Sequence, residues 1–536
     1  MIALVALLFA TLLCGIVTLR PFNNSPDIRS DGVGYHIWSH AIAHGDFTFC
    51  RYKPLLTTVT AISGETADGS RCKNKYPPGV GMLQLAFTWP FLADRPGEAG
   101  FSAGEHRAVL HLGAALLFSL TVLVVIVLMR RGLTAPVSVF AVAAFVFGTG
   151  LFHYATYDAS FSHIYSAFGA ALAMWLAYGK RQLSIGRLAA FALVAAWLYT
   201  VRQTNAALSL AVVYVAVRQA SGDTRWRLPI AWLAGTGVAA VILLAYGFYA
   251  SGEASLSSYG AEGFPTMGGH SLDVLLSYER GLFLYYPVFL PTLALAVWQW
   301  RRPSSQVFIG LVAAFALLYG SWYAWQLGAG FGHRGFVELA PFGMVVLADA
   351  MSNMPVWTKR ISTVLIGLCA VATILAMAAY WRGDLPFSGA VAGQYWQSIS
   401  PITLPGEAKF RYSEDDIRRV QLEVLDERPG AGGTLLVRLR VNNRNATESL
   451  HGATGGFPPL CLSWRIVRPD ADVHKGWNER LVLPVLHPGE SQTVTVAIPR
   501  SVDIDPGQQL QFSMVQEGVF WAHDIGVPPL SVPWFH

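Results

Sequence analysis

Two aspartates, three isolated cations and a run of histidines are the residues in this chain whose types could do chemistry. Asp31 lies in Ser30-Asp31-Gly32-Val33-Gly34-Tyr35, and Asp158 in Tyr157-Asp158-Ala159-Ser160-Phe161-Ser162-His163. A carboxylate beside a substrate hydroxyl suits general-base catalysis. Lys75 and Tyr76 open Lys75-Tyr76-Pro77-Pro78-Gly79; Arg202 stands in Val201-Arg202-Gln203, and Arg334 in Gly332-His333-Arg334-Gly335. Such cations suit an anion, and arginine grips phosphate with a planar fork. His163, Glu279, Arg280, His333 and Glu338 stand near these in sequence and are candidates to touch an acceptor or support the others. Plainer readings compete: an N-cap for Asp158, a snorkelling Lys75, a packing histidine at 163, and a Glu279–Arg280 pair.

His36, His40 and His44 recur every four residues and share one helical face. With Asp31, the first two could hold a metal, but sequence fixes no further ligand, and a polar helix face is the plainer reading. No cofactor is demanded, and a divalent cation stays open. Gly330-Phe331-Gly332-His333-Arg334-Gly335 matches the dinucleotide fingerprint G-x-G-x-x-G only formally, because that motif needs a preceding strand in a βαβ unit. Cys50 and Cys72 share one loop and are expected to form a disulfide if it faces an oxidising compartment. Cys14 and Cys369 lie in apolar runs, and Cys461 is left unpaired.

The elements that must position these residues are mostly membrane helices. Of the 536 residues, 53% are hydrophobic and 13% charged, against about a quarter charged in ordinary globular chains. Residues 384–536 hold 30 of the 71 charged side chains, so a water-soluble part follows a bilayer-embedded one. This excludes a single soluble domain, a fibrous protein and a disordered chain, and a net charge of +5 is too small to argue for nucleic acid.

Apolar runs of the length a bilayer core requires, about 17–25 residues, lie near 2–19, 109–129, 134–152, 161–179, 187–201, 204–218, 228–250, 282–300, 306–325, 336–350 and 360–380. The expected fold is therefore a polytopic α-helical membrane protein of about eleven spans. The runs 187–201 and 204–218 read as a hairpin bent at Arg202–Thr204. Arg130/Arg131, Lys180/Arg181/Arg187, Arg218/Arg225/Arg227, Arg301/Arg302 and Lys359/Arg360 fall in alternate connections. The excess of Lys and Arg in cytoplasmic loops then makes the amino terminus cytoplasmic, with an uncleaved first helix. Residues 20–108, the 251–281 loop and the carboxy-terminal part face outside. The apolar stretch 79–92 must not cross, or every later loop would invert. Every candidate for chemistry thereby gathers at one membrane face, where a lipid-borne phosphate could leave and a hydroxyl attack.

Beyond a linker at 384–404, residues 405–536 alternate in short segments at 420–425, 434–441, 461–467, 493–498 and 508–515. Turn formers separate them in the rhythm of an extracytoplasmic β-sandwich. Phe520, Trp521, Trp534 and Phe535 could form a sugar-stacking platform, with core and edge packing as the plainer reading.

Over roughly residues 1–380 of an expected membrane domain at 1–383, the chain resembles the integral-membrane C-type glycosyltransferases, and within them the protein-mannosyltransferase and aminoarabinose-transferase superfamily. Ser30-Asp31-Gly32 in a long first outer loop (20–108), Lys75-Tyr76-Pro77-Pro78-Gly79 further along it, and Asp158 after the third span carry the resemblance. It implies a transferase that moves a hexose or pentose, with inversion, from a polyprenyl-phosphate donor to a hydroxyl on a protein, glycan or lipid. The place implied is the outer, periplasmic face of a bacterial cytoplasmic membrane. Asp31 would be the general base and Asp158 the second acid, with Lys75, Tyr76, Arg202 and Arg334 at the lipid phosphate. Gly32 stands where many relatives carry another acid. The carboxy-terminal part resembles sugar-binding sandwiches. The same charges would also suit a flippase of lipid-linked sugars, or an oligosaccharide ligase or polymerase.

Overall fold

The computed structural model describes residues 28–536 except 93–99, 179–181, 253, 255–258, 260–261, 329, 383–384, 386–389, 391, 400–411, 430–434, 453–458, 468–476, 478–479, 499–508, 518 and 534–536. The expected first span with Cys14, Lys180, Arg181, most of the expected linker, Trp534 and Phe535 lie outside the described residues. The chain forms two compact units, Met1–Trp381 and Arg382–His536.

The first unit is helical. Among the described residues, five helices are long and apolar enough to cross a membrane: Ala103–Arg130, Thr224–Ser251, Pro303–Ser321, Arg334–Ser352 and Val356–Trp381. Four shorter apolar helices accompany them, Ala135–Gly148, Ile185–Val201, Asn205–Gln219 and Phe289–Trp298. Two of the apolar runs expected as spans are broken in the backbone. The run 134–152 divides at Thr149, whose extended backbone separates Ala135–Gly148 from Leu151–Thr156. There the Thr149 hydroxyl donates to the Phe145 carbonyl and accepts from the Leu151 amide. The run 282–300 divides around Pro287, between Leu282–Tyr285 and Phe289–Trp298, because proline cannot donate to the helix ladder. Among the long spans Arg334–Ser352 is central, with 94% of its apolar window buried, whereas Thr224–Ser251 and Val356–Trp381 bury 28% and 22%. Their outward faces (Leu233, Val241 and Phe248; Ile361, Val364 and Leu368) are the apolar surface a bilayer covers.

One end of this unit is fastened by Asp349, which pairs with Arg131 at 2.6 Å and accepts from Ser304 at 3.3 Å. The ends of Ala103–Arg130 and Arg334–Ser352 and the start of Pro303–Ser321 therefore meet there. The candidate residues lie toward the opposite ends of these helices. Helix Gly79–Thr88 has ten residues, a rise of about 15 Å, too short to cross a bilayer.

Among its described residues, the second unit holds two antiparallel sheets. One orders Val420–Pro429, Leu435–Asn443 and Ser491–Ile498; the other orders Leu530–Pro533, Gln509–Gln516, Leu460–Val467 and Leu481–Val482, with Phe520–Trp521 beside Gln509–Gln516. Val437, Leu439 and Val441 from the first and Leu462, Trp464 and Phe512 from the second share one core. The alternation of Ser491–Ile498, whose Val494, Val496 and Ile498 are buried, is what a sheet with one face in a core requires. Of the aromatics that could have formed a platform, Phe520 packs on the core, and Trp521 stacks on Trp477 at 5.2 Å with Arg480 over its ring.

Candidate functional site

Asp31 begins the helix Asp31–His44. Two glycines let that helix approach its neighbours: a Cβ at Gly32 would come within 2.0 Å of Ser160 Oγ, and one at Gly34 within 2.0 Å of the Tyr76 ring. Position 32 is thus closed to a side chain by packing. The proline-pair segment is stitched to the same helix. Asn74 Nδ2 donates to the Gly34 carbonyl at 2.8 Å and Trp38 Nε1 to the Tyr76 carbonyl at 2.7 Å. Pro78 caps the helix Gly79–Thr88. The Gly79 carbonyl accepts from Trp197 Nε1 at 2.8 Å, tying Lys75 and Tyr76 to the hairpin whose bend carries Arg202.

These elements enclose a cavity of about 690 Å³ whose charged and histidine walls are Asp31, Lys75, His163, Arg202, Glu262 and Arg334. Tyr35, Tyr76, Tyr259 and Tyr319 add hydroxyls, and Phe264, Leu318, Trp322 and Leu327 an apolar side. Asp31 accepts from Tyr76 OH at 2.8 Å on one oxygen and pairs with Arg334 at 2.7 Å on the other. Burial pushes the Asp31 carboxyl up, but Arg334, the Tyr76 hydroxyl and Lys75 outweigh it and hold it below the usual carboxylate range. Lys75 pairs with Glu262 at 3.0 Å. Arg202 meets the buried Glu338 at 2.8 Å, and His163 Nδ1 reaches the same oxygen at 3.1 Å. Four non-glycine residues among those described have positive φ, and Ser30 (48°), Thr60 (50°) and Leu327 (60°) of the four line this cavity. Such strain costs on the order of 1–3 kcal/mol each and gathers at functional sites.

The remaining candidates are placed differently. Asp158, expected beside Asp31, does not line the cavity: it is buried, with one oxygen 2.8 Å from Arg29 Nη2 and the other 2.8 Å from His153 Nε2. Burial favours its neutral form, but Arg29 and His153 hold it well below the usual range. Nor is it an N-cap, since Phe161 caps Ser162–Ala177. Arg280 donates to the Gly330 carbonyl rather than lining the cavity, and Glu279 is not on its wall either. His333 donates through Nε2 to the Trp325 carbonyl at 3.0 Å. Arg334, expected at a phosphate, engages Asp31 first; its Nη1 is buried without a hydrogen-bond partner. Asp31 does not join His36 and His40, which converge instead on Glu105. Cys50 and Cys72 form a disulfide; Cys369 and Cys461 are free thiols.

Sequence reasoning missed Arg29, Glu105 and Glu262. Ser102-x-x-Glu105 is a capping box and was readable as one. Nothing local marks Glu262, whose partner is 187 residues away.

No family model matches the chain, and no curated protein does. Among solved structures it is similar to the oligosaccharyltransferase of Archaeoglobus fulgidus in complex with Zn and sulfate, at 14% identity and a TM-score of 0.36, covering 69% of this chain and 53% of that one. The archaeal oligosaccharyltransferase AglB from the same organism, with an inhibitory peptide and a dolichol-phosphate, is 12% identical (TM-score 0.38; 70% and 56% covered). The apo form of the A. fulgidus enzyme is 13% identical (TM-score 0.38; 74% and 57% covered). The chain spans little more than half the length of these proteins, and scores of this size assign no residue a role.

Proposed function

We propose that the helical unit is a polyprenyl-phosphate-dependent glycosyltransferase working at the outer face of a bacterial cytoplasmic membrane. The observation that carries this reading is Asp31, paired with Arg334, on the wall of a cavity that also presents Lys75 and Arg202. In the proposed step the acceptor oxygen attacks the anomeric carbon in line, and the carbon–oxygen bond to phosphate breaks. The lipid phosphate leaves with the bonding pair, configuration inverts, and the acceptor proton passes to Asp31. Because Asp31 is a weak base, that proton moves late. Negative charge grows on the departing phosphate, and Lys75 and Arg202 face it across the cavity. Fixed charge aimed at developing charge can be the largest catalytic contribution. The apolar side of the cavity suits the first isoprene units of a donor.

The cavity wall does not fit a divalent cation. Hard cations take about six oxygen ligands, whereas both Asp31 oxygens are engaged by Tyr76 and Arg334, and Glu262 by Lys75. No step is therefore routed through a metal. Asp158 serves as a positioning residue, holding Arg29 two residues before Asp31.

The test supplies the purified full chain in lipid nanodiscs with a polyprenyl-phosphate monosaccharide and an envelope extract as acceptor, and follows free polyprenyl phosphate. Release is expected from the wild type, and Asp31→Asn should lower it about a hundredfold or more. In vesicles, transbilayer movement of the donor without release would replace the transferase by a carrier. Release only from a diphosphate-linked oligosaccharide would favour a ligase or polymerase.

A further inference from the structure

Away from the cavity wall, the helix Asp31–His44 turns two histidines toward the first turn of Ala103–Arg130. His36 Nε2 and His40 Nε2 stand 3.1 and 2.5 Å from a single oxygen, Oε1 of Glu105. All three side chains are fully buried. A neighbour fixes which atom of His36 faces inward, while the Nδ1 of His40 is buried without a hydrogen-bond partner. Gln84 donates through Nε2 to Tyr165 OH at 3.0 Å, which leaves its Oε1 to accept from His36 Nδ1 at 2.9 Å. A neutral His36 then carries its lone pair on Nε2, aimed at a carboxylate oxygen. Two lone pairs in contact need a cation between them. The other Glu105 oxygen is held at 2.8 Å by the Ser102 amide, so Oε1 alone is turned to the histidines.

We propose that His36, His40 and Glu105 form a buried site for one zinc-class divalent ion, clamping the helix that carries Asp31 to the helix Ala103–Arg130. Two imidazole nitrogens and a carboxylate oxygen are zinc donors, and tetrahedral ligand distances of about 2.0–2.2 Å put donor atoms roughly 3.3 Å apart. The three donor atoms lie within 4.8 Å of one another. Gln84 and Ser102 supply the outer hydrogen bonds that orient metal ligands. The histidines lie one turn apart, the spacing that puts both on one helical face. His36 follows Asp31 by five residues, about 7.5 Å along the axis, so the ion would hold the start of that helix without touching the reacting groups. The inference does not depend on the transferase reading.

The full chain, purified without chelator, is assayed by plasma mass spectrometry and should carry about one ion per molecule. After chelator treatment, Zn²⁺ alone should raise the thermal midpoint, as a ligand of the native state must, and Co²⁺ should give the ligand-field absorption of a nitrogen–oxygen site. Glu105→Gln should lose all three signals, and Asp31→Asn should keep them. If Glu105→Gln does not fold, His36→Asn carries the same comparison, and the wild-type measurements stand without either. A folded wild type that holds no metal and responds to neither ion would overturn the proposal, leaving a proton shared among the three groups. Loss of metal in Asp31→Asn with retention in Glu105→Gln would overturn it too, by moving the ion to the cavity.

Discussion

A carboxylate that must take a proton is usually tuned upward, and Asp31 is tuned the other way. Burial acts upward on it, and Arg334, Tyr76 and Lys75 act downward and win. Arg334→Gln removes the largest downward influence and leaves burial in place, so the Asp31 pKa must rise. A neighbouring opposite charge is worth about 1–3 units. The acid limb of the pH profile of kcat/KM should therefore move up by about that much, since this ratio reports the free enzyme's groups. An acid limb that stays in place would mean that Arg334 does not set the charge on Asp31. Glu338 makes a second residue-scale case. It is buried and shared by Arg202 and His163. Glu338→Ala should cost about 3–5 kcal/mol, the toll for stranding one partner of a buried pair. Glu65→Ala removes a pair with Lys53 whose side chains are 38% and 48% exposed, and should cost only about 0–1 kcal/mol. Thermal unfolding of the two variants side by side measures the contrast.

Among the elements, the first loop is the one held together covalently. The Cys50–Cys72 bond closes a span of 22 residues, and a loop of that size is worth roughly 3 kcal/mol. Cys72→Ser should then speed amide exchange in the hairpin Ile62–Glu65 and Cys72–Asn74 about a hundredfold, because exchange reads local opening directly. Unchanged exchange would mean that packing alone orders the loop. Elements whose period is local were the legible ones: the bend at Arg202 between two short helices, and the alternating strands such as 493–498, observed as Ser491–Ile498. What escaped was of two kinds, local breaks that hydropathy does not register and partners far along the chain. Thr149 and Pro287 interrupt apolar runs whose hydropathy alone reads as continuous. Asp158 read as a second acid of the site, or more plainly as a helix cap, because its partner Arg29 is 129 residues away. Glu105 was legible as a cap, but its second task, facing His36 and His40, depends on a packing that no window of sequence contains.

At the scale of the whole molecule, the two ends of the helical unit differ in charge chemistry, and that difference predicts an orientation. Arg131, Arg302 and Asp349 mark one end, the end to which the sequence assigns the basic connections. Asp31, Lys75, Arg202 and Glu262 mark the other. Lysine and arginine excess stays in the cytoplasm, so the cavity should open on the exterior, where a lipid-linked donor would be presented. Thiol labelling tests this in a chain whose Cys14, Cys369 and Cys461 are replaced by serine. A cysteine at Asp68, in the exposed tip of the disulfide loop, should react with a membrane-impermeant maleimide in intact cells. One at Asp223, in the exposed turn before Thr224–Ser251, should react only after permeabilisation. A cysteine at Asp524, whose side chain is 65% exposed in the second unit, should behave like the one at Asp68. Were Asp223 labelled in intact cells and Asp68 protected, the cavity would face the cytoplasm. The donor would then have to be met on the side where it is made, and the transferase proposed for the outer face would fall with the orientation.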